Sequence, residues 1–131
     1  MAEQSPQRTK LLVVDDDPLV RDAVTIMLSV GPKKFDITAV GDSQTALQAV
    51  RQHPFGVALI DVVMPEMTGA ELAGRLRQEQ SDLPVVYVSG YASNAVRDHG
   101  VQSDDIFVQK PYTPDQLIAA IKLALNGEAR S

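Results

Sequence analysis

The amino-acid sequence predicts an α/β fold, in which a parallel sheet carries helices on both faces. Short apolar runs alternate along the chain with segments whose apolar residues recur at helical spacing. This alternation is typical of successive strand–helix–strand units. The chain has 131 residues and is 44% hydrophobic, which suits one domain with its own core rather than two.

Five strands are predicted. Four are short apolar runs, whereas the second alternates apolar and polar residues, as a strand at the edge of a sheet does. In chain order the strands are expected at residues 10–14, 35–40, 57–60, 85–88 and 106–108.

A helical segment follows each strand. Asp17 is expected to cap the first helix, with Pro18 in its first turn and Gly31-Pro32 at its end, and Ser43 is expected to cap the second helix. Pro114 is expected to open the last. The second helix is expected to end at His53-Pro54, the third to cover residues 70–78 and the fourth to be a short helix over residues 93–98. The apolar positions of the first helix are Leu19, Val20, Ala23, Ile26, Met27 and Val30.

Five parallel strands alternating with five helices form the flavodoxin-like, doubly wound pattern. We expect a single domain over residues 10–126, a disordered N-terminal tail over residues 1–9 and a C-terminal tail over residues 127–131. Few residues follow the last helix, too few for a DNA-binding helical module, so any output is expected to pass through a protein partner.

Composition excludes several classes of function. The chain has no cysteine, which rules out a disulfide scaffold, a thiolate zinc site and a cysteine nucleophile. Its formal net charge of −5 argues against direct nucleic-acid binding, which rests on clustered Lys and Arg. No apolar run approaches the roughly 20 residues that span a bilayer, and the first nine residues lack the apolar core of a signal peptide. A cytoplasmic protein without membrane insertion is expected.

Polar side chains follow four of the predicted strands. Asp15 and Asp16 follow the first, Asp61 the third, Ser89 the fourth, and Lys110 comes shortly after the fifth. The carboxyl ends of parallel strands lie along one edge, which is where open α/β sheets place their sites. Carboxylates suit Mg²⁺, and a carboxylate can attack phosphorus, while an ammonium and a hydroxyl stabilise phosphoryl oxygens. Each residue alone also fits an ordinary turn or strand end, so the prediction depends on the order and spacing of these residues at all four strand ends.

The sequence resembles the receiver domain of two-component response regulators over nearly its whole length. The segments that carry the resemblance are Leu-Leu-Val-Val-Asp-Asp-Asp at 11–17, Ile-Asp-Val-Val-Met-Pro-Glu-Met-Thr-Gly at 60–69, Val-Ser-Gly-Tyr at 88–91 and Phe-Val-Gln-Lys-Pro-Tyr at 107–112. The last two are especially similar to receivers attached to hybrid histidine kinases.

The resemblance implies a role for each residue of the set. Asp61 would be the phosphoacceptor, and Asp15 and Asp16 the acidic pair that binds Mg²⁺, with Asp16 the more direct ligand. Asp61 and the main-chain carbonyl of Val63 would complete the protein ligands to the metal. Lys110 would contact the phosphoryl group.

The resemblance also implies a switch and partners. Ser89 would supply the switch hydroxyl and Phe107 the aromatic switch residue, and the Lys110-Pro111 bond is expected to be cis. The phosphoryl donor would be a histidine kinase or a histidine phosphotransfer domain, and the output an unknown downstream protein. The chain is then not an enzyme, but a signalling domain that assists only its own phosphorylation and dephosphorylation.

Two alternatives belong to other classes. A phosphatase or phosphotransferase of the haloacid dehalogenase type also uses Mg²⁺ and an aspartyl phosphate, and Asp15-Asp16-Asp17 loosely fits its Asp-x-Asp nucleophile motif. That group usually needs a longer chain, and it would leave Asp61 without a role. A receiver-shaped binding module that works without phosphorylation is the second alternative, and the intact set of Asp61, Ser89 and Lys110 argues against it.

Overall fold

A computed structural model describes residues 8–30 and 35–127. The predicted end of the first helix at Gly31-Pro32 lies outside the described residues, as do residues 1–7 and 128–131 of the two predicted tails. Within the described ranges, no helix is both long and apolar enough to cross a membrane.

The sheet has five parallel strands in the order β2-β1-β3-β4-β5. The second strand lies at an edge, as its alternating pattern predicted. The third and fourth strands each run one residue beyond their predicted ends, so Asp61 and Ser89 belong to the strands themselves. The strands are β1 Thr9–Val14, β2 Phe35–Val40, β3 Val57–Asp61, β4 Val85–Ser89 and β5 Ile106–Gln109.

Helices connect the strands in the predicted alternation. Among the residues that the structure describes, four helices are long, whereas the fourth in chain order is a single turn that is continued by a 3-10 turn at Arg97–His99. Gly100, with a φ of 95°, ends that turn in the left-handed conformation that glycine adopts readily. The helices are α1 Pro18–Ser29, α2 Ser43–Gln52, α3 Gly69–Glu79, α4 Ser93–Val96 and α5 Pro114–Asn126.

The helix caps confirm one prediction and correct another. Asp17 caps α1, because its Oδ1 accepts a hydrogen bond from the backbone N–H of Leu19 at 2.9 Å. Asp42, not Ser43, caps α2, with Oδ1 accepting from the N–H of Thr45 at 2.7 Å. The prediction for Ser43 was wrong because its N–H and hydroxyl both donate to the Glu66 carboxylate of the β3–α3 loop.

The core lies on both faces of the sheet, because alternate strand residues point to opposite sides. On the face covered by α2 and α3, buried side chains include Leu12, Ile60 and Tyr87. The other face packs against α1 and α5 and includes Leu11 and Leu59.

Helix α1 buries fewer of its apolar residues than its sequence pattern suggested. Val24 and Leu28 face the core, whereas Leu19, Ile26 and Val30 are 65–77% exposed. Since α1 carries apolar residues around much of its circumference, periodicity alone did not fix the buried side.

Candidate functional site

Three aspartates meet at the carboxyl edge of the sheet. Strands β1 and β3 are neighbours, with Val14 paired to Ile60, so their ends lie side by side. One carboxylate oxygen from each of Asp15, Asp16 and Asp61 lies within 4.8 Å of the others. Asp15 and Asp61 are buried, and Asp16 is exposed. These three residues therefore lie together, as expected from their positions at strand ends.

Lys110 reaches this cluster from beyond β5. Its backbone N–H donates to the carbonyl of Ser89 at 2.7 Å, which continues the pairing of β4 with β5. Its Nζ donates to Asp15 Oδ2 at 3.2 Å. The Lys110-Pro111 peptide bond is cis, as the resemblance predicted.

Every polar group of Asp15 forms a hydrogen bond. Its N–H donates to the Val40 carbonyl at 3.2 Å, and its own carbonyl accepts from Arg21 Nη1 at 2.7 Å. Its carboxylate accepts from the Asp17 N–H at 2.9 Å as well as from Lys110.

Asp16 differs from Asp15, since within the described part of the chain its carboxylate accepts no hydrogen bond. The exposed Asp16 carboxylate therefore has more free oxygen lone pairs than that of Asp15.

Asp61 sits where the chain leaves the sheet. Beyond it, the Val62 N–H donates to the Val88 carbonyl at 2.9 Å, and the Val62 carbonyl accepts from the Gly69 N–H at 2.7 Å. A Cβ on residue 69 would collide with the Asp61 carbonyl oxygen and lie 3.0 Å from the Val62 Cα. Glycine at the start of α3 is therefore required by the close approach of the Asp61 backbone.

The environment of Asp61 makes its carboxyl a weaker acid than usual. Burial raises the pKa of Asp61 to about 6, and the Asp15 and Asp16 carboxylates add to the increase, while the Lys110 ammonium opposes it. At pH 7 most of the carboxyl is still ionised, and it stands among like charges. A cation placed among the three carboxylates would relieve that repulsion.

The donor set fits Mg²⁺, which prefers oxygen ligands and is bound in proteins through one or two carboxylates. Asp15, Asp16 and Asp61 supply such oxygens within a few ångströms of one another. Val63, whose carbonyl is the further expected ligand, lies in the loop after β3 and forms a bridge with Thr68.

The two expected switch residues lie at the neighbouring strands. Ser89 is 2% exposed, and its Oγ accepts from the backbone N–H of Tyr91 at 3.1 Å. Val88, the residue before it, pairs with Asp61 across the sheet. Phe107 is partly buried against the core face covered by α2 and α3.

Sequence reasoning missed three residues near the site. Arg21 binds the Asp15 carbonyl, and Glu66 joins the β3–α3 loop to the start of α2. Burial, and then the charges of Asp15 and Asp61, raise the pKa of the Tyr112 phenol. The only available signal was position, since these residues follow the ends of β1, β3 and β5 by seven, five and three positions, respectively.

Comparison with known proteins agrees with this geometry. The family model of the response regulator receiver domain matches residues 11–122. The DNA-binding response regulator MtrA of Mycolicibacterium smegmatis is 34% identical over 120 residues, which are 91% of this chain and 51% of that protein. The transcriptional regulatory protein FixJ of Bradyrhizobium diazoefficiens is 32% identical over 118 residues, 88% of this chain and 56% of that protein. The chain thus spans about half the length of the curated relatives it matches.

Solved structures share the fold. A two-component transcriptional regulator AraC from Clostridium phytofermentans superposes with a TM-score of 0.79 at 30% identity, covering 90% of this chain and 93% of that one. A response regulator receiver protein from Sinorhizobium medicae superposes with a TM-score of 0.78 at 26% identity, covering 92% of this chain and 96% of that one.

Proposed function

The chain belongs to the response regulator receiver domain family, and from this premise we propose that it takes up a phosphoryl group on Asp61. The donor is the phosphohistidine of a histidine kinase or of a phosphotransfer domain, and the output is a changed surface for a downstream protein. The observation that carries the proposal is the carboxylate cluster at the sheet edge with Lys110 bound at its side.

The transfer needs an ionised nucleophile beside a cation. A carboxylate oxygen of Asp61 attacks phosphorus, a P–O bond forms, and the P–N bond to the donor imidazole breaks, with its electron pair remaining on nitrogen. Because the pKa of Asp61 is about 6, the nucleophile is mostly ionised at pH 7. The Lys110 ammonium, whose Nζ is 3.2 Å from Asp15 Oδ2, would donate to a phosphoryl oxygen as charge develops there.

Asp15, Asp16, Asp61 and the Val63 carbonyl would hold Mg²⁺, on which we propose that the transfer depends. When bound, Mg²⁺ supplies positive charge that screens the phosphoryl oxygens from the carboxylates.

We further propose that the domain works in the cytoplasm and has no separate substrate, so its only chemistry is its own phosphorylation and dephosphorylation. The family supports a histidine kinase as partner. The likeness of residues 88–91 and 107–112 to receivers of hybrid kinases stays a prediction.

The site argues against a nucleophile after the first strand, as in a haloacid dehalogenase phosphatase. The Asp15 carboxylate already accepts hydrogen bonds from Lys110 and from the Asp17 N–H. Burial raises the pKa of Asp61, which makes its carboxylate more basic than an ordinary one.

Labelling with acetyl phosphate tests the proposal. Intact mass spectrometry should show one added phosphoryl group in the parent protein with Mg²⁺, none with EDTA, and none in Asp61→Asn. Asp82→Asn, which removes an exposed aspartate elsewhere, should label like the parent. Labelling that persists in Asp61→Asn and disappears in Asp15→Asn would favour the phosphatase. Absence of labelling in the parent would favour a binding module.

A further inference from the structure

Arg21, in the second turn of α1, holds the backbone at the acidic cluster. Its Nη1 donates to the Asp15 carbonyl at 2.7 Å, and the bond is partly buried. A hydrogen bond from a charged guanidinium is shorter and stronger than one between neutral groups. This bond fixes the peptide group that joins Asp15 to Asp16.

The orientation of that peptide group affects the Asp16 side chain most. The Asp16 carboxylate reaches within 4.8 Å of the oxygens of Asp15 and Asp61, yet it is exposed and accepts no hydrogen bond from any described residue. With no described partner for its side chain, the position from which the Asp16 carboxylate extends is set by the backbone, which fixes the direction of the Cα–Cβ bond. The Arg21 bond is therefore a restraint on Asp16 as well as on Asp15.

Gly41, just after β2, leaves room for the guanidinium. A Cβ at this position would lie 2.7 Å from Arg21 Nη1 and 3.3 Å from Cζ. Since Gly41 does not need a left-handed conformation, alanine would be tolerated by the backbone there. Its methyl group would nevertheless push the end of the Arg21 side chain away from the Asp15 carbonyl.

The charge of Arg21 and its restraint on the backbone should have opposite effects on the affinity for Mg²⁺. Arg21 is a cation beside the cluster, and repulsion alone would weaken the binding of another cation. Removing the charge would then strengthen Mg²⁺ binding, whereas removing a restraint on Asp16 would weaken it. The sign of the change therefore distinguishes the two roles.

We propose that Arg21 is a positioning residue for the metal site, which orients the Asp15–Asp16 peptide so that the Asp16 carboxylate faces the cluster, and that Gly41 provides the space this requires. The inference rests on the proposed function, because it concerns the Mg²⁺ on which phosphoryl uptake would depend.

The test compares Mg²⁺ dissociation constants from NMR titrations of the whole chain with MgCl₂. Partners one shell beyond a metal's ligands commonly change its affinity 10- to 100-fold, so Arg21→Met is expected to weaken binding about tenfold. Gly41→Ala keeps the Arg21 charge but pushes its guanidinium away from the Asp15 carbonyl, so it is expected to weaken Mg²⁺ binding about threefold. Arg21→Lys keeps a donor and should recover part of the loss.

Arg77→Met is the matched control. Arg77 also binds a backbone carbonyl six residues away, that of Leu83 at 3.0 Å, but on α3 and away from the cluster. Its Mg²⁺ dissociation constant should stay within about twofold of the parent value.

Labelling by acetyl phosphate supplies a second readout. The Mg²⁺ concentration for half-maximal rate should rise in Arg21→Met and Gly41→Ala, while the rate at saturating Mg²⁺ changes little. A general loss of structure would instead lower the saturating rate.

Tighter Mg²⁺ binding in Arg21→Met with no change in Gly41→Ala would overturn the inference, since charge alone would then explain the effect. Unchanged binding in both would overturn it too. If Arg21→Met does not fold, Gly41→Ala and Arg21→Lys still decide the matter. A parent protein that binds no Mg²⁺ would refute the metal site of the proposed function, which is a distinct outcome.

Discussion

Lys110 and Asp15 are 95 positions apart in the chain, yet Lys110 Nζ donates to Asp15 Oδ2 at 3.2 Å. Asp15 follows β1 and Lys110 follows β5, and strands β3 and β4 lie between those two strands. The bond therefore spans the ends of β3 and β4, and Asp61 is the last residue of β3. The Asp15 side chain is 4% exposed and that of Lys110 is 26% exposed. The ion pair therefore lies in partial shelter from solvent.

Lys110→Met should lower both stability and phosphorylation. Removing one partner of a sheltered pair leaves the Asp15 carboxylate beside two others, and we expect a loss of about 1–3 kcal/mol in the free energy of unfolding. Urea unfolding at pH 7 in EDTA measures it. Lys10→Met removes an exposed ion pair to Asp36 and should cost less than about 0.5 kcal/mol. Equal losses in the two variants would contradict this reading of the Lys110 pair.

Asp61→Asn should stabilise the metal-free protein at neutral and alkaline pH. The pKa of Asp61 rises from 3.8 to about 6 on folding, so the folded state binds the proton more tightly. Stability therefore falls as the pH rises from about 4 to 6 and stays low above that, by up to about 3 kcal/mol in all. Asn carries no such charge, so its advantage should grow over the same pH range.

The measurement is urea unfolding in EDTA between pH 4 and pH 8. Asp82→Asn, at an exposed position, serves as the control and should show no such pH-dependent gain. An Asp61→Asn variant that is less stable than the parent at pH 8 would show that the buried charge is not unfavourable.

Mg²⁺ should raise the melting temperature of the parent by binding only the folded state. Asp16→Ala should remove most of that increase, because it deletes the ligand with the freest oxygens. Differential scanning fluorimetry with and without MgCl₂ reports the change, and Asp82→Ala is the control. An undiminished response in Asp16→Ala would place the metal elsewhere.

Phosphorylation should change the face formed by α4, β5 and α5. Phosphate on Asp61 is expected to draw the Ser89 hydroxyl from its bond with the Tyr91 N–H, so that the following loop moves and Phe107 turns inward. A ligand shifts such a balance only by its differential contacts with the two states.

Beryllofluoride is the probe for this switch. We expect NMR shifts at residues 91–98 and 107–112 in the parent, and a much reduced set at those positions in Ser89→Ala. Shifts confined to the rim around Asp61 would argue against the switch.

The phosphoryl group on Asp61 should be lost slowly. The resemblance implies that residues 63 and 91 flank the approach of the hydrolytic water, and Val63 offers no group to orient it. Tyr91 is bulky, and its ring stacks on that of His99 with centroids 6.0 Å apart. Poor positioning of the nucleophile removes part of the proximity effect.

The decay rate of the phosphorylated protein in Mg²⁺ measures this lifetime. Val63→Asn and Tyr91→Glu should each speed the decay, and His99→Ala shows whether the stacking contact contributes. Decay of the parent within seconds, or no acceleration in the first two variants, would refute the assignment.

The sequence predicted the parts of the site that follow from strand order. Asp15, Asp61 and Lys110 could be placed together because each lies at the carboxyl end of a strand, and parallel strands share that edge. The alternation of apolar and polar residues over positions 35–40 was also enough to identify β2 as an edge strand.

Contacts made through loops escaped prediction. The bonds of Arg21 to the Asp15 carbonyl and of Glu66 to Ser43 depend on the three-dimensional path of a loop, which no local pattern encodes. The cap of α2 was misplaced for the same reason. The buried side of α1 was also not fixed by sequence, since the choice between Val24 and Ile26 is made by the packing of α1 on the sheet and α5.

The close approach of Gly69 to the Asp61 carbonyl couples the start of α3 directly to the main chain of the proposed nucleophile. Because the Gly69 N–H is bonded to the Val62 carbonyl and no side chain fits between them, a displacement of the start of α3 also displaces the main chain that bears Asp61. A partner that moves α3 would therefore alter the reactivity of the Asp61 carboxylate without contacting it. Under selection for phosphorylation, saturation mutagenesis at position 69 would retain glycine.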